Sequence, residues 1–328
     1  MNALETAHAL PYAKLVPAVR QAALELALHH ICAPGRQVTT IDSTSVLLGM
    51  PAVGSDIGIT KVITVHANNA QHKLPVIQGE VIVFDARTGK RLALLDGPTV
   101  TKRRTAAVTL LGIDALAPVS PTSVMLIGTG VQAQAHAQAL LDYFGIARLY
   151  VAGRDLAKAT AFCTALRRQH PQLEAIALTA ADLADELPQI DVLIALTTSR
   201  TPVIPAHVAP GVLVIGVGAF KPDMAEFPAA LLHRRQIVVD DIEGAQHEAG
   251  DLIQAGVDWR RIKPLADYLA DGFVKPTPVP LLKTVGQGAW DLAAARVAMA
   301  SLVLETAEKT TIAVQPGWYR DCTIIKHE

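Results

Sequence analysis

At 328 residues the chain is too long for one small hydrophobic core, and 51% hydrophobic with 18% charged residues is the make-up of a globular protein. A net charge of −1 with no long basic block leaves nothing to drive binding to nucleic acid or a membrane surface, and no run of about 18 apolar residues is present to span a bilayer. The N-terminal MNALETAHALPYAKL lacks the basic start and apolar centre of an export signal, so a cytoplasmic protein acting on small molecules is expected.

Residues 13 to 31 carry a helical apolar pattern that Pro34-Gly35 ends. TTIDSTSVLLGMP follows, and then SDIGITKVITVHANN alternates in the manner of a strand. GEVIVFDARTGKRLALLDG reads as a hairpin, two apolar strands flanking a loop from Asp85 to Gly89, and so short a connection makes the strands antiparallel. TVTKRRTAAVTLLGIDALA is helical with Thr101 as its expected N-cap, and it ends before APVSPTS. From Val124 the rhythm changes. VMLIG, RLYVAG, EAIAL, DVLIALT, GVLVIGVG and QIVVD are short apolar runs, with helical segments between most of them, the pattern of a parallel sheet covered on both faces. The chain therefore divides near residue 120, and the long helical GAWDLAAARVAMASLVLETAEK can return to the first domain or pair with a second subunit.

In the first domain Ile57, Ile59, Lys61, Ile63 and Val65 share one strand face, leaving an ammonium in the middle of an apolar row. Such a charge needs an anion, either an internal carboxylate or a ligand. Lys102, Arg103 and Arg104 are expected in the first turn of a helix, where each opposes the helix dipole by some tenths of a kcal/mol to about 1 kcal/mol unless an anion sits among them. Lys102 and Arg103 read as solvated, which leaves Arg104. Arg36, after the Pro-Gly break, is as easily a solvated loop residue as a ligand, and His66 is placed where it can line a pocket.

In the second domain Gly128, Gly130 and Ala133 form GxGxxA directly after a strand and opening a helix, with Thr129, Val131 and Gln132 completing the turn. Gly128 permits the turn, Gly130 lets a pyrophosphate approach the backbone and Ala133 keeps helix and strand close. At the end of the next strand, where a NAD site usually places an acidic residue, stands Arg154, whose planar fork suits a 2′-phosphate. NADPH is thus favoured, with Asp155 keeping NADH open. Thr197, after DVLIAL, is expected to touch the cofactor. VVDDIEGAQHEAGD concentrates Asp240, Asp241, Glu243, His247, Glu248 and Asp251 without metal-ligand spacing and reads as a solvated loop and helix start. Cys32, Cys163 and Cys322 lack zinc or redox spacing and read as structural or incidental, so no metal is expected.

Taken together and in this order, PGRQV, GITKVITVHANN, GEVIVFDARTGKRLALLDG, TKRRTAA, LIGTGVQAQAH, GAFKPDMAE, EAGDL and KTVGQGAWDLAAA resemble the ornithine cyclodeaminase/μ-crystallin family over most of the chain. The resemblance implies an α/β protein with a Rossmann-type doubly wound parallel sheet in residues 120–293, and an α+β substrate-binding and dimerisation domain in 1–119 with 294–328. It also implies a homodimer in which Arg36, Lys61 and Arg104 grip the carboxylate of an amino or imino acid beneath a nicotinamide, making the substrate the partner of Lys61. Lys61 and Arg104 are the catalytic candidates, and Phe220 joins the substrate-binding set. Cyclodeaminases, by this resemblance, carry a catalytic Asp two residues before the proline of GAFKPDMAE. This chain has Phe220 there, and a phenyl ring can neither accept a proton nor hydrogen-bond an amine. Asp223, beyond Pro222, does not inherit the role. The expected activity is therefore NAD(P)H-dependent reduction of a cyclic ketimine acid to L-proline or L-pipecolate. The rivals are a cyclodeaminase, an alanine- or opine-type dehydrogenase, and a non-catalytic NADPH-binding protein of the μ-crystallin kind.

Overall fold

The computed structural model describes residues 1–311 except 180 and 186. Cys322 and the expected return segment beyond 311 lie outside the described residues. Two short helices, α1 (Ala3–His8) and α2 (Tyr12–Ala27), precede five strands: β1 (Gln37–Thr40), β2 (Ser45–Val53), β3 (Ile57–His66), β4 (Ile77–Asp85) and β5 (Arg91–Asp96). These form an antiparallel meander in chain order, with the hairpin read from the sequence as β4 and β5. Directly paired residues project to the same face, so Met50, Lys61 and Val81 stand side by side, flanked by the buried Ile59, Ile63, Val83 and Leu95.

The chain leaves β5 straight into α3 (Gly97–Leu116). Asp96 caps it by accepting from Thr99 N at 2.8 Å, and Pro98 sits in the first turn. Thr101 is therefore inside the helix, not its cap, and Lys102, Arg103 and Arg104 fall in the second turn. The dipole fades within the first turn, so opposition to it does not account for Arg104; packing does, because α3 lies against β4 and brings Arg104 to the inner face.

After α3 come β6 (Ser123–Ile127), α4 (Val131–Phe144), β7 (Arg148–Gly153), α5 (Leu156–Gln169), β8 (Glu174–Thr179), α6 (Asp182–Asp185), β9 (Val192–Ala195) and β10 (Leu213–Gly216). They are followed by α7 (Ala229–Leu232), β11 (Ile237–Val239), α8 (Ile242–Glu248), α9 (Gly250–Ala255), β12 (Lys263–Pro264) and β13 (Leu281–Lys283). The eight strands make one parallel sheet in the order β12-β11-β13-β10-β9-β6-β7-β8. β12 and β13 went unread in the sequence because they are only two and three residues long. The order reverses between β6 and β9, and in open α/β sheets the crevice at the carboxyl ends beside such a reversal is where ligands bind.

A last helix, α10 (Gly288–Thr311), starts ahead of the expected return point at 294 and crosses back to the first sheet. Gly288 meets β2 so closely that a Cβ there would stand 2.8 Å from Pro51 O. One turn pair further on, Arg296 bonds Glu25 of α2 at 2.7 Å and Asp56, ahead of β3, at 2.8 Å. No helix among the described residues is long and apolar enough to cross a membrane.

The two halves also meet where α3 packs on α4. There His136, 1% exposed, donates from Nδ1 to Gln132 O at 2.8 Å and accepts at Nε2 from Thr109 Oγ1 at 2.9 Å. Burial pushes its pKa from 6.5 down to about 4. The unfolded ring takes up a proton near pH 6.5 while the folded ring resists, so stability present above that pH is lost as the pH falls towards 4, by about 3 kcal/mol for this group. Urea unfolding midpoints should show that loss in the wild type and a clearly smaller one in His136→Gln.

Candidate active site

Lys61 comes from the middle of β3, Arg104 from the second turn of α3 and Asp291 from the first turn of α10. Lys61 Nζ lies 2.7 Å from Asp291 Oδ2, and Arg104 Nε lies 3.2 Å from Asp291 Oδ1. Lys61 and Asp291 are 1% and 0% exposed. An internal carboxylate thus partners Lys61, which corrects the expectation that the substrate alone would do so. The signal was available: Asp291 stands among apolar residues in GAWDLAAARV as Lys61 stands among isoleucines. Burial lowers the pKa of Lys61 from 10.5 to about 8, against the raising effect of Asp291, while Arg104 and Arg36 push it further down. Because Asp291 takes the Nε side of Arg104, the terminal nitrogens of that guanidinium have no protein hydrogen-bond acceptor among the described residues. They lie against Gly286, whose φ of +83° suits glycine and where a Cβ would come within 2.6 Å of Nη1.

Gly286 belongs to the loop between β13 and α10, and that loop is gripped from two sides. Asp240, just after β11, accepts from Val285 N and Gly286 N at 2.9 Å each, and from Trp290 Nε1 at 3.2 Å. Arg36 donates from Nη2 to Val285 O at 2.8 Å and Gly286 O at 3.1 Å, and its Nε pairs with Glu248 at 2.7 Å. Arg36 is therefore neither a solvated loop residue nor a free cation: the protein already occupies Nε and Nη2. The acidic run is corrected with it, since Asp240 and Asp251 are 6% and 2% exposed and Glu248 is paired. Asp241 does start a helix, accepting from Gly244 N at the head of α8, and burial together with Asp240 raises its pKa to about 6.

The glycine turn joins β6 to α4. Gly128 has φ +126°, its N–H donates to Ala152 O at 2.8 Å, and a Cβ there would stand 2.7 Å from Leu196 O. Gly130 is the N-cap of α4 with no side-chain cap, a Cβ on it would meet nothing within 4 Å, and Ala133 is fully buried. The N–H groups of Val131 and Gln132 open the helix beside Thr129, and together with Gly130 they present uncapped donors to open space, which fits a dinucleotide pyrophosphate. Arg154 directly follows β7 next to this turn, exposed and without an ion pair among the described residues. Asp155 instead caps α5, accepting from Ala157 N and Lys158 N.

Thr197 follows β9, and its N–H and Oγ1 both donate to Glu226 Oε1, at 2.6 and 3.0 Å. Glu226, not singled out from the sequence, is completely buried. Phe220 is half-buried in the loop after β10. His66 falls on the face of β3 opposite Lys61 and is not brought to the cluster.

A parallel sheet with a glycine turn at its order reversal, joined to an antiparallel sheet that carries cations to its carboxyl edge, defines a Rossmann-type α/β protein with an added α+β domain. The profile of the ornithine cyclodeaminase/mu-crystallin family matches residues 4–300. The chain belongs to that family. It is 46% identical over 302 residues to Delta(1)-pyrroline-2-carboxylate reductase 2 of Burkholderia ambifaria, covering 92% of this chain and 95% of the relative. It is 45% identical over 306 residues to the Delta(1)-pyrroline-2-carboxylate/Delta(1)-piperideine-2-carboxylate reductase of Azospirillum brasilense, covering 93% and 96%. Among solved structures it resembles Delta(1)-pyrroline-2-carboxylate reductase of Thermococcus litoralis in complex with NADH and L-proline, at a TM-score of 0.80 and 24% identity over 90% of this chain and 94% of that one. At that identity the likeness is one of fold.

Removing one partner of a buried pair leaves an uncompensated charge. Asp291→Asn should lower unfolding free energy by about 3–5 kcal/mol in chemical denaturation, and the apolar double variant Lys61→Met/Asp291→Leu should recover most of it. An unchanged midpoint in Asp291→Asn would show that the pair is not a buried one.

Proposed function

We propose that this protein reduces cyclic ketimine acids, Δ1-pyrroline-2-carboxylate to L-proline and Δ1-piperideine-2-carboxylate to L-pipecolate, with NADPH in preference to NADH. The observation that carries this reading is the row of groups along the carboxyl edge of the parallel sheet. In spatial order, Arg154 follows β7, the glycine turn follows β6, Thr197 and Gly218 follow β9 and β10, and the loop after β13 lies against Arg104. Along that row a cation for a 2′-phosphate comes first and uncapped helix N–H groups for a pyrophosphate second. A guanidinium with free terminal donors for a small carboxylate comes last. The names of the relatives at 45–46% identity support the same substrates.

Arg104 holds the substrate carboxylate by charge-assisted hydrogen bonds. Lys61, fixed beside it by Asp291, adds positive charge, and Arg36 does so while holding the Val285–Gly286 peptide in place. The clamp orients the C=N bond. A bound reduced nicotinamide supplies the hydride that the imine carbon takes up. A substrate arriving as the iminium ion needs no acid from the protein; one arriving neutral takes its proton from Lys61, whose pKa of about 8 suits the task. Phe220 walls the site with apolar surface, and its lack of a titratable group favours a reductase over a cyclodeaminase. The 24-residue α10 carries Asp291 into this pocket, which supports grouping it with the N-terminal residues as the substrate-binding domain. A homodimer is supported by the outer face of the first sheet, where Val62 and Leu94, 39% and 38% exposed, sit with Pro51 and Ile82 opposite the helix-covered face.

Nicotinamide absorbance followed with both ketimine acids and both cofactors tests the proposal. Arg104→Ala should lower kcat/KM about 100-fold, the effect of losing two charge-assisted bonds. Wild-type kcat/KM should decline as the pH rises through about 8 and Lys61 loses its proton, and Lys61→Met should lower activity and abolish that limb. Near-wild-type kcat/KM in both variants would remove the proposed pocket.

Arg154→Ala should raise KM for NADPH roughly 10-fold while leaving KM for NADH within about 2-fold. An unaltered ratio of the two would exclude Arg154 as the source of the preference.

A further inference from the structure

Glu226 lies outside the proposed clamp yet makes more polar contacts than any member of it. Its Oε1 accepts from Thr197 N and Thr197 Oγ1 at 2.6 and 3.0 Å, and its Oε2 accepts from Gly218 N and Ala219 N at 2.7 and 3.2 Å. Burial pushes the pKa of Glu226 up, while Lys283 and the four hydrogen-bond donors that face its two oxygens favour the carboxylate. Its backbone is tied as firmly: Glu226 N donates to Asp251 Oδ1 at 2.6 Å, and Glu226 O accepts from Val203 N and Ile204 N at 3.0 Å each. Lys283, fully buried on β13, completes the cluster, with Nζ 3.3 Å from Gly216 O and 3.6 Å from Asp251 Oδ2.

The two backbone segments joined by this one carboxylate follow β9 and β10. They approach so closely that a Cβ on Gly218 would run into the Thr197 backbone. A dinucleotide with its 2′-phosphate end at Arg154 after β7 and its pyrophosphate at the glycine turn after β6 must extend over β9 and β10, because those strands come next in the sheet. Its nicotinamide end then meets the Thr197 and Gly218 segments, while its adenosine end does not.

We propose that Glu226 is a positioning residue, which sets the Thr197 and Gly218–Ala219 segments as a fixed floor for the nicotinamide end of the cofactor. This rests on the dinucleotide reading above. Its consequence is selective: disturbing Glu226 weakens the grip on the nicotinamide half and leaves the phosphate half intact. Glutamine is the incisive replacement, because it has nearly the same size but turns an NH2 against donors that have no other acceptor among the described residues.

In Glu226→Gln the Kd for NADPH should rise about 10-fold and kcat at saturating cofactor should fall about 10-fold, the effect of one unsatisfied buried contact. The Kd for 2′-phospho-ADP-ribose, which lacks the nicotinamide ring, should stay within about 2-fold by titration calorimetry. Wild-type NADPH affinity and turnover in the folded variant would overturn the proposal, as would an equal loss of affinity for both ligands, which is what a general structural support gives. Should Glu226→Gln fail to fold, Thr197→Val removes one of the four donors without changing shape. It should show the same selective pattern at about 3-fold, and wild-type behaviour would equally overturn the proposal. A wild-type enzyme that reduces neither ketimine would defeat the substrate assignment alone, since the two titrations still decide the role of Glu226.

Discussion

Lys61, Asp291 and Arg104 share a contact almost free of water, and its cost constrains much of the chain around it. An ammonium inside a sheet face lined with isoleucine, valine and leucine is tolerable only with a carboxylate at hydrogen-bond range. The carboxylate is delivered by a helix that begins after residue 287, which explains why α10 must cross back to β2 and β3 and be fastened there by Arg296. Arg104 joins through Nε alone, so the ion pair immobilises the guanidinium while its terminal nitrogens lie against Gly286. Two positive charges share one negative charge at this point, which leaves an excess of positive charge for the proposed carboxylate to balance.

The peptide between Val285 and Gly286 links this cluster to the parallel sheet. Its N–H groups are held by Asp240 from the second domain, and its carbonyls by Arg36 from the first. The loop that seats Arg104 is thus built from both domains at once, and a shift of either would be felt at the guanidinium. The parallel sheet supplies order along its edge. Strands are adjacent in space according to the sheet and not the chain, so groups far apart in sequence, Arg154, Gly128, Thr197, Gly218 and Gly286, stand in a line, and the proposed placing of a dinucleotide and a small acid rests on that order.

Local signals were read well where they depend on a few neighbouring residues. The β4–β5 hairpin follows from an apolar run, a glycine-bearing loop and a second apolar run. The glycine turn follows from a strand, two glycines and a helix. The N-cap of α3 was misplaced because Thr101 looked suitable in isolation, whereas Asp96-Gly97-Pro98 one turn earlier carries the stronger pairing of a capping carboxylate with a first-turn proline. Asp291 and Glu226 give no local signal for another reason: Asp291 pairs with Lys61 from the far end of the chain, and Glu226 bonds backbone N–H groups, of Thr197 29 positions away and of Gly218 and Ala219 8 and 7 positions away, which carry no side-chain signature.

The sequence alone determined the two kinds of sheet, the glycine turn between β6 and α4 and the oddity of a lysine among isoleucines, since period, composition and turn chemistry act over a handful of residues. Only the tertiary structure decided that Asp291 partners Lys61, that Arg36 is bound by Glu248 and a loop peptide, and that Glu226 joins the ends of β9 and β10. Those outcomes depend on which elements meet across the fold, and at close range a buried charge pairs with whatever opposite charge the packing brings to it.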